Sequence, residues 1–145
     1  MIQLTLRQAQ AGFFDRARVQ HATTDAERWV LSRFGAFVRQ RARTSMRRRK
    51  DPAPPGQPPS AHVGLLRQHL YFAWDQDHRS VVIGPVRLNQ RQAAEAPPLL
   101  EYGGTAMRSR WGRTYLARYQ LRPYMRPAFA AEQSRLPPLW RNSIR

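Results

Sequence analysis

The sequence predicts an α+β domain: a long N-terminal helix packed on an antiparallel sheet of about four strands, with a C-terminal helix and an extended Pro-rich arm. Three observations lead there. Val30, Phe34, Phe37, Val38, Ala42 and Met46 recur at three- and four-residue steps, as on one apolar helix face. "LYFAWDQDHRSVVIGPV" (70–86) sets two aromatic and β-branched runs around a polar tetrapeptide, which reads as a hairpin. Five prolines fall within 51–62, where neither a helix nor an inner strand can form.

Taken in order, "IQLTL" (2–6) alternates and suits a short strand, so residues 1–20 are expected to form an N-terminal strand or arm. "GFFDRARV" (12–19) is too short to assign. "TDAE" (24–27) has the spacing of a capping box, with the Thr24 hydroxyl reaching the Glu27 amide and Glu27 reaching back. The long helix is therefore expected over 24–50, about 35–40 Å at ~1.5 Å per residue. Arg28, Ser32, Arg39, Arg43 and Arg47 fall opposite its apolar face. Like charges at i, i+4 spacing cost a few tenths of a kcal/mol, and the helix dipole offsets a similar amount over the last turn. The basic run is thus tolerable without a partner.

The proline-rich stretch (51–63) is expected as a stiff arm of about 30 Å, suited to lying on a neighbour or serving as a connector. Residues 64–145 should carry the sheet and the C-terminal helix. Asp75 and Asp77 suit a type I turn at the hairpin tip, and Gly84-Pro85 ends its second strand. A polar loop follows at 89–98. "PPLLEYGGT" (97–105) suits one short helical turn opened by proline and stopped by Gly103-Gly104. "RWGRTYLARYQL" (110–121) reads as one strand, with Trp111, Tyr115 and Tyr119 on a core face and arginines facing solvent. "RPYMRPAFAAEQSRL" (122–136) turns helical at Pro127, and "PPLWRNSIR" ends in a second short turn or a tail.

With 145 residues the chain suits one domain, and its 12 prolines imply long stiffened connections. Its formal charge is +16, from 25 basic and 9 acidic residues, and Lys50 is the only lysine. GC-rich coding accounts for Arg over Lys but not for so few acids. An excess this large attracts polyanions by long-range Coulomb forces. No run approaches a membrane span, and "MIQLTLRQAQ" has no apolar signal region, so a soluble chain without an export signal is expected. The absence of cysteine excludes disulfides, thiolate metal sites and thiol catalysis.

Little points to catalysis. His21, His62, His69 and His78 show no metal-ligand spacing, and no cofactor motif is present. Asp75 and Asp77 fit turn residues better than a carboxylate pair. Gly103-Gly104-Thr105 lacks the Lys and Ser/Thr of a phosphate loop. No nucleophile motif appears, so the chain is expected not to be an enzyme; a small hydrolase would need a pocket with a perturbed acid or histidine. Duplex-reading motifs are also missing, although the Arg and aromatic residues of 109–126 interleave as in single-strand binders.

Four stretches after the basic helix occur in a meaningful order: "QPPSAHVGLLRQHL" (57–70), "VVIGP" (81–85), "LLEYGGT" (99–105) and "RPYMRPAF" (122–129). Together they resemble the tail-completion or head–tail joining (neck) proteins of long-tailed double-stranded DNA bacteriophages. The matching residues are Pro59, Gly64, Leu66, Arg67, Gly84, Pro85, Glu101, Tyr102, Gly103, Thr105, Pro123, Tyr124, Arg126 and Pro127. Val63 stands where the family usually has Thr, "YGGT" carries an extra Gly, and residues 1–20 are unmatched.

The resemblance implies a structural virion protein of the neck, with no catalytic residue, metal or cofactor. It implies a ring of about six copies, or of twelve, between portal-side connector and tail-terminator or tail-tube rings. Double-stranded DNA would pass non-specifically through the ring, assembled in host cytoplasm and without membrane contact. Arg39, Arg43, Arg47, Arg48, Arg49 and Lys50 would then touch DNA or acidic faces of adjacent rings. The alternative is a stand-alone basic nucleic-acid-binding or DNA-packaging accessory protein.

Overall fold

The computed structural model describes residues 16–62, 64–86, 96–141 and 143. The strand expected over 2–6, most of the polar loop of 89–98, and Val63 lie outside them. Helix α1 spans Arg16–Ser45, and Ala26, Val30, Phe34, Gly35, Val38 and Ala42 form its buried stripe. The chain is already helical eight residues before the expected start, so Thr24 makes no capping box. The Thr23 and Thr24 hydroxyls instead donate to the Val19 and Gln20 carbonyls one turn back, at 2.6 and 2.9 Å.

The helix also stops short of the expected end at residue 50. Thr44 and Ser45 turn their hydroxyls onto the carbonyls of Gln40 and Ala42, and the Arg47 carbonyl accepts from the Ala61 amide at 3.0 Å. That return bond draws the backbone out of helical register. Met46 is nevertheless buried, so the apolar spacing outlasts the helix that it predicted.

A single turn, α2 (Leu65–Gln68), leads from Gly64, whose φ of 80° favours glycine, into the first hairpin. Strand β1 (Leu70–Asp75) pairs antiparallel with β2 (Ser80–Pro85), Phe72 facing Ile83 and Trp74 facing Val81. The face bearing these side chains lies on α1; Tyr71 and Val82 point outward and are exposed. Asp75 organises the turn: its Oδ1 accepts from the amides of Asp77 and His78, and its Oδ2 meets His78 Nδ1 at 2.8 Å. These bonds, led by the His78 ring, hold the Asp75 carboxyl below its ordinary range.

Next come α3 (Ala96–Tyr102), β3 (Gly104–Arg110) and β4 (Arg113–Tyr119). The four strands thus form two separate two-stranded sheets rather than one, and 110–121 is not one strand. Trp111 and Gly112, at φ of 52° and 75°, make a two-residue turn there. Helix α4 (Met125–Glu132) continues through a 3-10 turn (Gln133–Arg135) into α5 (Leu136–Arg141), and both helices pack on α1. The Phe34 and Phe129 rings meet edge to face at 5.4 Å, and buried Glu132 pairs with Arg41 and with Arg135 at 2.9 Å. The core is Phe34, Val38, Ala42, Met46, Leu70, Tyr124 and Ala128.

The proline-rich segment is docked on its own domain rather than projecting. The Ser60 hydroxyl donates to the Asp51 carbonyl at 2.8 Å, closing a loop, and Ala53 and Pro59 are buried. Gly56 N donates to Leu121 O at 2.9 Å, and Arg122 Nε donates to Ala53 O at 2.6 Å. Proline leaves the preceding carbonyl without a local amide donor, and here the Ala53 carbonyl takes a distant one.

Gly35 tests the contact between α1 and the first hairpin. A Cβ added there would lie 2.8 Å from Val81 Cγ2 and 3.2 Å from Phe72 Cδ2. Helix propensity alone would make Gly35→Ala stabilising by about 1 kcal/mol. Overpacking costs ~1–3 kcal/mol and should win. The expected result is a lower midpoint in thermal unfolding followed by circular dichroism.

Candidate assembly and nucleic-acid interface

Two of the stretches singled out in the sequence meet at one buried carboxylate. Helix α3 ends at Gly103, whose amide donates back to Leu99 O at 2.9 Å and whose φ is 74°. A Cβ on Gly103 would also come within 3.2 Å of Tyr119 O and Leu121 N. Glycine is therefore required both for conformation and for space. Two residues earlier, on the helix, Glu101 is buried and points at the start of α4. Its Oε2 accepts from the amides of Tyr124 and Met125 at 2.9 and 3.0 Å, and its Oε1 accepts from the Arg126 amide at 2.8 Å.

The first amides of a helix have no intrahelical acceptor, and the helix N-terminus favours negative charge. Glu101 answers both needs from 23–25 residues away. Pro127, lacking an N–H, adds no further orphan to this first turn. Pro123 leads into buried Tyr124, whose phenol is pushed above its ordinary range, first by burial and then by the Glu101 charge. Tyr102 turns the other way and is 68% exposed, while Thr105 is exposed on β3 opposite Arg118.

The basic run does not form one surface. Arg39 is half-buried: its Nε donates to Leu70 O at 2.6 Å, and its guanidinium lies 5.7 Å from the Tyr71 ring centre. Arg39 is thus a tie between α1 and β1, not a member of the solvent face expected from its spacing. Arg43 is half-buried too, with a buried Nε that has no hydrogen-bond partner among the described residues. Arg47, Arg48, Arg49 and Lys50 lie beyond the helix and are exposed; Arg49 Nη1 reaches Gln57 Oε1 at 3.4 Å. These four are the part of the run open to a partner.

A cleft of about 310 Å³ lies between the proline-rich loop and α2, lined chiefly by Met46, Ala53, Pro59, Leu66, Leu100 and Arg122. Gly64 and Arg67, also on its wall, come from the "HVGLLRQ" stretch. Gly84 lies on the outer face of β2, where an added Cβ would meet nothing within 4 Å. The fold of the single chain therefore does not need glycine at 84. Pro85 pairs with Leu70 at the end of the hairpin.

The second hairpin was the region least well read from sequence. In β3–β4 the directly opposed pairs Arg108–Tyr115 and Arg110–Arg113 share a face, so arginine and aromatic side chains are not segregated. Arg108 Nε donates to the Tyr119 hydroxyl. On the other face Met107 and Leu116 oppose each other and are 64% and 65% exposed. Trp111, at the tip, is 88% exposed, and the Arg110 guanidinium lies 4.4 Å from its ring centre. A left-handed conformation at a residue with a side chain costs about 1–2 kcal/mol. Opposed like charges add a further penalty. The sequence signal was the Trp-Gly pair between two alternating runs, a two-residue turn with glycine second.

Among the described residues no group of three or more His, Cys, Asp or Glu is placed to hold a metal ion. Asp75 and Asp77 form a turn, as expected, and no helix among the described residues is long and apolar enough to cross a membrane.

Two expectations follow from the Glu101 junction. Glu101→Gln keeps the size but removes the charge, and should cost ~1–3 kcal/mol in urea unfolding, with Glu101→Ala costing more. Tyr124 gives the alkaline limb. Its folded pKa exceeds the unfolded value of about 10, so the unfolded chain loses this proton first. Its contribution is fully present below about pH 10 and is lost as pH rises through and above that value. Tyr124→Phe should flatten that limb of a stability–pH curve.

Compared with protein-family models, with curated proteins and with solved structures, the chain matches none.

Proposed function

We propose that this protein is a structural component of a long-tailed phage neck, forming a ring that joins the DNA-filled head to the tail. The observation that carries the reading is the ordered set of motifs, from "HVGLLRQ" through "VVIGP" and "LLEYGGT" to "RPYMRPAF". The Glu101 junction supports it by giving two of those motifs one physical task, since the acid of one caps the helix opened by the other. Residues that the single chain does not need add support. Gly84 has open space where a side chain would stand, which suits close approach of a neighbouring backbone. Tyr102, beside the buried acid, is exposed and free to pack on another subunit.

A ring needs heterologous contacts, in which one surface of each copy meets a different surface of the next. The outer face of β1–β2, the exposed Tyr102 and the apolar cleft provide such surfaces on different elements. DNA in the channel requires phosphate contacts without base readout, and the exposed run Arg47, Arg48, Arg49 and Lys50 is suited to these or to acidic neighbouring rings. No catalytic or cofactor chemistry enters this role.

The packaging-accessory alternative draws on the same charge and is separated from the neck by one experiment. Lysates of a phage or prophage lacking the gene are examined by electron microscopy. The neck role predicts DNA-filled heads and finished tails that fail to join. Empty heads would favour the packaging role, and intact joined particles would sink both.

A further inference from the structure

The tip of β3–β4 combines features that disfavour the isolated chain. Trp111 holds a φ of 52°, where Asn, Asp or Gly would sit without strain, and remains 88% exposed. Arg110 and Arg113 flank it as a directly opposed like-charged pair, with Arg108 two residues further down the same face. Residues 104–119 hold four arginines and no acid. Strained, exposed and like-charged groups clustered at one point are the mark of a surface shaped by what it touches rather than by what it supports.

We propose that the β3–β4 hairpin is a contact for duplex DNA, in which Arg108, Arg110 and Arg113 bind backbone phosphates and Trp111 packs into the groove at the tip. A two-stranded β-ribbon fits the major groove, which is about 12 Å wide. Side chains two residues apart on one face of a strand are ~6.8 Å apart, close to the through-space separation of neighbouring phosphates on one DNA strand. A second copy of this chain is a poor occupant of this tip, because Glu27, Glu101 and Glu132 are already engaged within the fold and leave few carboxylates to meet its arginines. An acidic protein is the competing occupant for such a tip, and competition by polyglutamate separates it from DNA. The contact carries no base-specific pattern, so binding is independent of sequence. The inference takes from the proposed function only the identity of the polyanion.

The test uses the full chain and a labelled mixed-sequence duplex of about 30 base pairs, with anisotropy followed over a salt series. Removing two phosphate contacts with Arg110→Ser and Arg113→Ser together should lower the slope of log K against log salt by roughly two units. Arg16→Ser with Arg141→Ser removes the same charge from exposed helix ends and should lower it by less than about one. Trp111→Ala should weaken binding about 5- to 10-fold at every salt concentration and leave the slope unchanged. Circular dichroism melts confirm that each variant folds.

Equal slopes in the two double variants would overturn the proposal, because net charge alone would then explain binding. Tighter binding to a single strand of the same length would overturn it, as would polyglutamate competing as well as duplex. Failure here leaves the neck reading intact, since that one is decided by unjoined heads and tails in the lysates.

Discussion

The Glu101 carboxylate on the first turn of α4 is the contact through which the last third of the chain is held together. Two-stranded sheets are marginal in water unless something larger covers them. The first hairpin lies on α1, but β3 and β4 make their extensive contacts with each other. Their foundation is the α3–Gly103 corner, fixed by the Glu101 cap, by Arg122 N to Leu100 O at 2.6 Å, and by Gly56 N to Leu121 O at 2.9 Å. Helix α4 passes the same restraint to α1 through Ala128 and Phe129. A hairpin with two exposed faces can therefore be carried at a defined position without a core of its own.

Charge is the other constraint. Few acids serve many arginines, and among the described residues three glutamates do structural work: Glu27 with Arg79, Glu132 with Arg41 and Arg135, and Glu101 with backbone amides. Other guanidinium groups are accommodated without a carboxylate. Arg33 lies over Phe37, Arg39 over Tyr71, and Arg39 and Arg122 donate to backbone carbonyls. The planar guanidinium suits both uses, which ammonium groups serve less well. Arginine thus acts partly as packing material here, and a high formal charge overstates the number of side chains left for a partner.

Legibility followed the range of the interactions. The α1 stripe from Val30 to Ala42 and the hairpin around Asp75 depend on neighbours within about one turn, and both were readable from spacing. Thr24 misled because Thr back-bonding inside a helix and Thr capping at its start use the same residue type. The single strand expected at 110–121 failed because Trp occupies a position that turn chemistry usually gives to Asn or Gly. The proline loop was readable as irregular, but not its docking, which depends on Arg122, 69 residues away. Within the candidate site, the basic run was visible as charge alone. Only tertiary structure divides it into the tie at Arg39 and the open cations from Arg47 onward. Glu101 was marked by resemblance, while its role as a cap awaited the fold.

The length of α1 has its own consequence. From Arg16 to Asp25 its side chains are exposed, and burial begins at Ala26. Short helices are marginal in water, so this leading part is helical chiefly by continuation from the packed turns behind it. Opening it costs little, whereas opening Val30–Ala42 requires dismantling the core. Amide protection should therefore climb along a single unbroken helix, from a fraying end to the slowest-exchanging backbone in the molecule. One element thus spans nearly the whole range of local stabilities, and its loose end can bend toward a neighbour while the core stays closed.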